Sequence, residues 1–344
     1  MEEKEPLPAR ESVVSTGEGR IGLDVGTSKI LSVRKSGSEL LASTEVNAFI
    51  PLPFSRFTQN ILLQNKVRYY QDNGRFYVYG NSAEKFASLW NTETRRPMSR
   101  GLLNPNEPSA LTLIKVIIEG LVKKARSRDE LVYFSVPGAP VEAPTDLIYH
   151  EALLKDFLEG LGYRTKSINE GLAVVFSELE RESFTGIGIS AGGGMCNVCL
   201  AYLSVPVVSF SVTKAGDHID RSVGSVTGES ATRIKVIKEQ SLDLSRAPRD
   251  KVEEALHIYY EDMIFTLVEN LKDALGKAAN VPRLDRAIPV VLAGGTARPR
   301  GFRERFEKKF RQSGFPLEIS EVRLSPHPTE ATARGSLLAA IYEG

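Results

Sequence analysis

Ile21-Gly22-Leu23-Asp24-Val25-Gly26-Thr27-Ser28-Lys29 reads as a short buried strand running into a glycine turn. Ile187-Gly188-Ile189-Ser190-Ala191-Gly192-Gly193-Gly194 repeats that layout. A second strand follows each turn, Ile30 to Val33 in the first copy and Cys196 to Tyr202 in the second, and a third strand runs from Val205 to Thr213. Such a repeat is the imprint of a duplicated lobe. A further glycine turn, Ala293-Gly294-Gly295-Thr296, follows the strand Ile288 to Leu292. Glycine after a buried strand lets backbone N–H groups approach phosphate oxygens with no Cβ in the way. Two turns facing across a cleft therefore suit a nucleoside triphosphate with Mg²⁺, a cation that rests on oxygen ligands and keeps several waters. No Walker or dinucleotide-type glycine pattern stands at a strand-to-helix junction, so neither of those folds explains the glycines.

Around these turns, α and β signals alternate as in an α/β lobe. Segments between Leu40 and Gly80 read as a small β-rich insertion, with Val67 to Tyr70 and Phe76 to Tyr79 flanking the hairpin signal Asn73-Gly74, and a helix is predicted over Asn81 to Trp90. Helices are predicted from Pro108 to Arg126, Thr145 to Leu161, Glu170 to about Arg181, Asp220 to Gln240 and Arg249 to Ala279, with a strand at Leu131 to Val136. Val252, Leu256, Tyr259, Tyr260, Met263, Leu267 and Leu271 form a stripe that reads as core. One more helix begins near Arg300, and Ser325-Pro326-His327-Pro328 opens a last one through Ala340.

With 344 residues, 42% hydrophobic and 25% charged, the chain has material for two cores. Lys plus Arg number 44 against 43 Asp plus Glu, so there is no overall positive field and no nucleic-acid partner is expected. Cys196 and Cys199 form a lone C-x-x-C, open to reading as half a zinc site, a redox pair or buried thiols. They lie within an apparent strand, which favours the buried thiols, and two cysteines without a disulfide framework suit a reducing cytoplasm. No apolar run reaches the roughly 20 residues of a membrane span. The polar, acidic start reads as a disordered leader over residues 1–18. Ala48-Phe49-Ile50-Pro51-Leu52-Pro53-Phe54 is open as a membrane-touching loop or as packing inside the inserted subdomain.

These motifs resemble the actin, sugar-kinase and heat-shock ATPase superfamily. Gly22 to Lys29 is similar to the first phosphate motif of bacterial actins, including the FtsA kind, and Ile189 to Val198 to a divergent form of the second. Ala293 to Thr296 resembles the adenosine motif, while Ile168 to Ala173 and Pro326 to Gly335 resemble the two connecting segments. The layout is closest to MreB, because the segment from Val136 to Glu170 is too short for the relocated FtsA subdomain. That resemblance implies a two-lobed actin-like α/β fold, a duplicated ribonuclease H-like core with a small subdomain inserted in each lobe. The expected division is lobe I at 19–180 with an insertion at about 35–97, lobe II at 181–325 with a helical insertion at about 217–285, and a C-terminal helix at 326–344 returning to lobe I.

It also implies site residues: Asp24 for the hydration shell of Mg²⁺, Glu170 for the attacking water, and the turns at Gly26, Thr27, Ser28, Gly192, Gly193 and Gly194 for the phosphates. Lys29 would add charge at the phosphates, Gly216 and Asp217 would border the ribose, and Lys235, Glu229, Gly294, Gly295 and Thr296 would lie along the adenosine. Departures are informative. Ser190 stands where the second phosphate motif begins with Asp, Met195 and Cys196 replace its threonines, and Asn197 replaces its final Asp. One negative charge beside Mg²⁺ is gone, so ATP binding is expected to outlast efficient hydrolysis. Gly171 stands where heat-shock ATPases have proline, which reads as a looser connector. The expected function is a bacterial actin-like ATP-binding protein of the cell-shape cytoskeleton, forming homopolymeric filaments in the cytoplasm and meeting membrane-associated complexes. The alternative is a monomeric or complex-bound nucleotide switch of chaperone-like or regulatory type.

Overall fold

The computed structural model describes residues 17–90, 92–142, 147–278, 281–282 and 286–343. Most of the expected leader, and the expected helix ends at Thr145 and Ala279, lie outside the described residues. The chain opens with an antiparallel meander, β1 (Arg20–Val25), β2 (Lys29–Ser36) and β3 (Glu39–Val46). A small three-stranded sheet follows, β4 (Phe49–Pro53), α1 (Arg56–Gln64), β5 (Tyr69–Asp72) and β6 (Arg75–Tyr79), then α2 (Asn81–Trp90). Asn73 and Gly74 turn its hairpin at φ 45° and 69°. A two-stranded hairpin, β7 (Met98–Ser99) and β8 (Leu102–Leu103), leads to α3 (Ala110–Val122), β9 (Leu131–Val136), α4 (Leu147–Gly160), β10 (Arg164–Asn169) and α5 (Glu170–Glu178).

The second half repeats the plan with β11 (Gly186–Ala191), β12 (Cys196–Tyr202) and β13 (Val205–Val212), then the helices α6 (Gly216–Thr227), α7 (Ala231–Gln240) and α8 (Lys251–Lys277). β14 (Ile288–Ala293), α9 (Phe302–Gln312), β15 (Ile319–Leu324) and α10 (Ala331–Glu343) complete it. The two large sheets run in the orders β10-β9-β1-β2-β3 and β13-β12-β11-β14-β15. Read in opposite directions they are the same sheet: a meander of three strands, then two strands added parallel to the first. The duplication seen at the glycine turns thus extends to all five strands of each lobe.

Each lobe closes its own core, one around Ile21, Leu23, Ile117 and Phe134, the other around Ile189, Leu256, Tyr260 and Met263. The α8 stripe packs inward, with Val252 and Tyr259 at its margin. Cys196 and Cys199 are three residues apart on one strand, an odd spacing that sends them to opposite faces and into different clusters. Burial pushes both thiols up to about 12, as inert small hydrophobes. Ala48, Phe49, Ile50 and Leu52 are buried, so most of that apolar run is packing, while Phe54 at its end is exposed. No helix among the described residues is long and apolar enough to cross a membrane.

Several elements differ from expectation. The single helix expected from Asp220 to Gln240 is two, because Gly228 at φ 77° ends α6 and the Ser230 hydroxyl caps α7 by accepting from Arg233 N at 3.2 Å. Helix α1 escapes a reading by periodicity because Leu62 is its only buried residue. Strands β10 and β15 escape it because both lie at sheet edges with polar, half-exposed sequences. The last helix starts at Ala331, after the Pro326 and Pro328 segment rather than on it.

Helices α5 and α10 cross between the sheets at positions that admit no side chain. A Cβ on Gly335 would lie 1.7 Å from the carbonyl oxygen of Ala173, one on Gly22 would lie 2.0 Å from that of Ala333, and one on Gly188 would lie 2.3 Å from that of Gly171. Gly171 itself would meet Cys199 N at 2.6 Å. Its replacement of proline is therefore a demand of tight helix-on-sheet packing, not a loosening of the connector. Gly335→Ala is expected to lower unfolding free energy in urea titration by about 3 kcal/mol. Gly276→Ala, on an open stretch of α8 with nothing within 4 Å, should instead raise it by about 0.5–1 kcal/mol.

Candidate functional site

Backbone closure of the first turn, Gly26 N to Lys29 O at 3.0 Å, presents Thr27 and Ser28 at the end of β1. The second turn closes likewise, Gly192 N to Met195 O at 2.9 Å. The two turns abut. A Cβ on Gly193 would lie 2.3 Å from Ser28 Oγ, and one on Gly194 would lie 2.1 Å from Thr27 Oγ1. The first amides of α6 donate to the carbonyls of this second turn, Gly216 N to Gly192 O at 3.1 Å and Asp217 N to Gly193 O at 2.7 Å. Because the peptides are trans, the N–H groups of Gly193 and Gly194 point away from α6. The third turn locks behind the second through Thr296 Oγ1, which donates to Gly192 O at 2.8 Å, with Gly294 at φ 90°.

Behind the turns stand two carboxylates. Asp24 on β1 accepts from the Ser135 hydroxyl at 2.8 Å, and that hydroxyl accepts from Val25 N at 3.2 Å. Glu170 is the first residue of α5, set there by Asn169, whose side-chain oxygen accepts from Gly171 N at 2.9 Å and Leu172 N at 3.2 Å. Ser190 donates to Glu170 Oε2 at 3.2 Å and receives Thr332 of α10 at 3.4 Å. An aspartate at 190 would set a second carboxylate against Glu170. The serine instead joins the two helix starts without charge. Asn197, beside Ser190 in the β11–β12 register, accepts from Gly138 N at 2.8 Å across the lobes.

The cleft brings together Asp24, Glu170, Gly26, Thr27, Ser28, Lys29, Gly192, Gly193, Gly194, Asp217, Lys235, Gly294, Gly295 and Thr296. Gly216 lies just behind it, where a Cβ would meet Thr296 Oγ1 at 2.6 Å. Glu229 is not brought in: it pairs with Arg233 at 3.3 Å at the α6–α7 break, so its candidacy as an adenosine contact is withdrawn. Lys235 reaches the cleft, with its ammonium on Glu84 of α2 at 3.0 Å, a bond between the small subdomain and lobe II. Sequence reading missed Lys238 and Asp220, a buried ion pair at 2.8 Å with each side chain 6% exposed, and also Glu239, Arg298 and Thr332. Lys238 stands one helical turn beyond Lys235 and on the same face, the one signal that points to it.

Burial raises both cleft carboxyls, Asp24 and, further, Glu170, which also feels the Asp24 charge. Their hydroxyl partners offset this only in part. Among the described residues no group of three or more His, Cys, Asp or Glu side chains could hold a metal ion. Two desolvated acids at the cleft fit a hard cation that arrives on phosphate and keeps its waters.

A family model described as Volactin matches residues 20–340. The chain belongs to the volactin family. Comparison with curated proteins gives no match. Among solved structures, this volactin-family chain is similar to "MamK double helical filament", at TM-score 0.70 and 19% identity over 93% of this chain and 98% of that one. It is similar to MreB 5 of Spiroplasma citri bound to AMPPNP, at 0.64 and 16% over 92% and 94%. It is similar too to the ethanolamine utilization protein EutJ from Carboxydothermus hydrogenoformans, at 0.56 and 16% over 92% and 88%. The fold is the two-lobed actin-like one, with the layout of MreB.

Because the folded pKa values of Asp24 and Glu170 are raised, the folded state holds these protons to higher pH than the unfolded chain does. Their contribution to stability is present below the ordinary carboxylate range and is lost as pH rises through the folded values. Glu170→Gln should therefore stabilise the nucleotide-free protein more at about pH 8 than at about pH 5, by on the order of 2 kcal/mol. Urea titrations at both pH values check this, and an advantage that does not change with pH would contradict it.

Proposed function

We propose that this chain binds ATP with Mg²⁺ between its lobes and assembles with copies of itself into cytoskeletal filaments governed by that binding, with slow hydrolysis. The observation that carries the reading is the contact of two glycine turns, Thr27-Ser28 against Gly193-Gly194, in front of two desolvated carboxylates. In this reading the lobes divide at 19–180 and 181–325, with residues 326–344 returning to the first. The amides of Thr27, Gly193 and Gly194 receive the phosphates, the Gly26 N–H being spent on Lys29 O in closing its turn, and Lys29 adds charge. Asp24 orders water around Mg²⁺, and Glu170 orients the attacking water. Lys235, Lys238 and the turn from Gly294 to Thr296 border the nucleoside.

Filament formation is supported by likeness to a protein solved as a double helical filament, and nucleotide control by likeness to MreB 5 of Spiroplasma citri, bound in its structures to AMPPNP or ADP. Membrane-associated complexes are further partners in this reading. Slow hydrolysis follows from Ser190, which offers a hydroxyl to Glu170 and no charge to the metal's waters.

Sedimentation at micromolar protein with ATP, ADP or no nucleotide separates this reading from that of a monomeric or complex-bound switch. Pelleting that depends on the nucleotide is expected, and no assembly under any condition would favour the switch. Phosphate release should be slow in the original chain and at least about tenfold faster in Ser190→Asp. Brisk release from the original chain would contradict the role given to Ser190.

A further inference from the structure

We propose that Arg96, outside every glycine turn, reads the terminal phosphate of a bound nucleoside triphosphate, resting on Asp217 until that phosphate displaces it. The proposal rests on the nucleotide reading above and deepens it. Arg96 Nη1 donates to Asp217 Oδ1 at 2.8 Å, to Asp217 Oδ2 at 2.9 Å and to Ser28 Oγ at 3.0 Å. Ser28 belongs to the first turn, and Asp217 N is bonded to Gly193 O of the second. A Cβ on Gly193 would lie 2.3 Å from Ser28 Oγ and 3.2 Å from Asp217 Oδ1. The guanidinium therefore sits on the seam where the two turns meet, the place the proposed function assigns to phosphate.

The arm that delivers it is built. Arg95 exchanges backbone bonds with Phe49, both at 2.8 Å, and its guanidinium pairs with Glu107 at 2.7 Å. Asn104 fastens the other side, through Nδ2 to Arg96 O at 3.3 Å and N to Pro97 O at 2.8 Å. The β7–β8 hairpin turns at Arg100 and Gly101, φ 50° and 74°, and Gly101 N donates to Thr27 Oγ1 at 3.0 Å. An arm fixed at the base of the small subdomain thus touches the first phosphate turn at its tip, packs Gly101 against Gly194 and Met195, and reaches Asp217 of lobe II through the Arg96 guanidinium.

All three contacts of the guanidinium run through Nη1, so among the described residues its remaining N–H groups have no acceptor. Arginine's planar fork matches a phosphate in bidentate fashion, and a triphosphate brings more charge to the seam than one carboxylate. With side chains 24% and 16% exposed, Arg96 and Asp217 are partly desolvated. A single guanidinium between two anions makes an exchange, and a diphosphate lacks the group that would complete it. The arm would then report the phosphate to the small subdomain.

Calorimetric titration with AMPPNP and with ADP, both with Mg²⁺, tests this in the wild type, Arg96→Ala, Arg96→Lys and Asp217→Asn. Arg96→Ala should lose about tenfold or more in AMPPNP affinity with ADP affinity held within about threefold, and Arg96→Lys should recover part of the loss. Asp217→Asn should raise the preference for AMPPNP over ADP, since the competing anion is gone. Equal loss of both nucleotides in Arg96→Ala, or no loss of either, overturns the proposal and leaves Arg96 a structural latch. If Arg96→Ala does not fold, Arg96→Gln carries the same comparison. Failure of the wild type to bind either nucleotide overturns the nucleotide reading itself, a different result.

Discussion

Helices α5 and α10 cross between two sheets at backbone contact, and Gly22, Gly171, Gly188 and Gly335 make that approach sterically possible. Both helices begin at the cleft, α5 at Glu170 and α10 at Ala331, so the closeness of the crossing sets the distance between their first turns. Ser190 then reaches Glu170 on one helix and Thr332 on the other with a single hydroxyl. A wider crossing would part those partners and separate the glycine turns that β1 and β11 carry. The site is thus a consequence of backbone packing behind it. Its geometry is as rigid as the crossing.

The charges in the cleft follow a second rule. Three cations close to the cleft already hold anions: Lys235 holds Glu84, Lys238 holds Asp220, and Arg96 holds Asp217. Two of these pairs, Lys235 with Glu84 and Arg96 with Asp217, run between the first half of the chain and the second. A polyanion entering here meets ion pairs that exchange partners as well as Lys29 and Arg298, so its binding is coupled to how the halves are held together. The carboxylates Asp24 and Glu170 are left without a cation, and their desolvation is relieved by one that accompanies the phosphate.

Much of this was legible in the order of residues, for physical reasons. A buried strand that must end in a turn without Cβ leaves a run such as Leu23 to Gly26, and a duplicated lobe leaves it twice. Asn73-Gly74 and the α8 stripe were legible because a left-handed turn and a one-sided helix each restrict residue choice. Edge strands β10 and β15 impose no such restriction, since only Ile168 in the one and Val322 in the other are fully buried. At the site, Asp24, Glu170 and the turn glycines were legible from local pattern. Arg96 and Asp220 were not, because what they do depends on partners 121 and 18 residues away. Glu229 follows Gly228, which ends α6, and pairs with Arg233 at the start of α7.

The two abutting glycine turns are proposed to hold the phosphates together. Calorimetry of Mg²⁺ with AMPPNP against the native chain and against Gly194→Val, with circular dichroism to verify folding, tests it most directly. In Gly194→Val the new Cβ would lie 2.1 Å from Thr27 Oγ1 and force the two turns apart. About one nucleotide bound per native chain, dependent on Mg²⁺, and binding lost in the folded variant are the expected results. Undiminished binding by Gly194→Val would contradict that role of the turns.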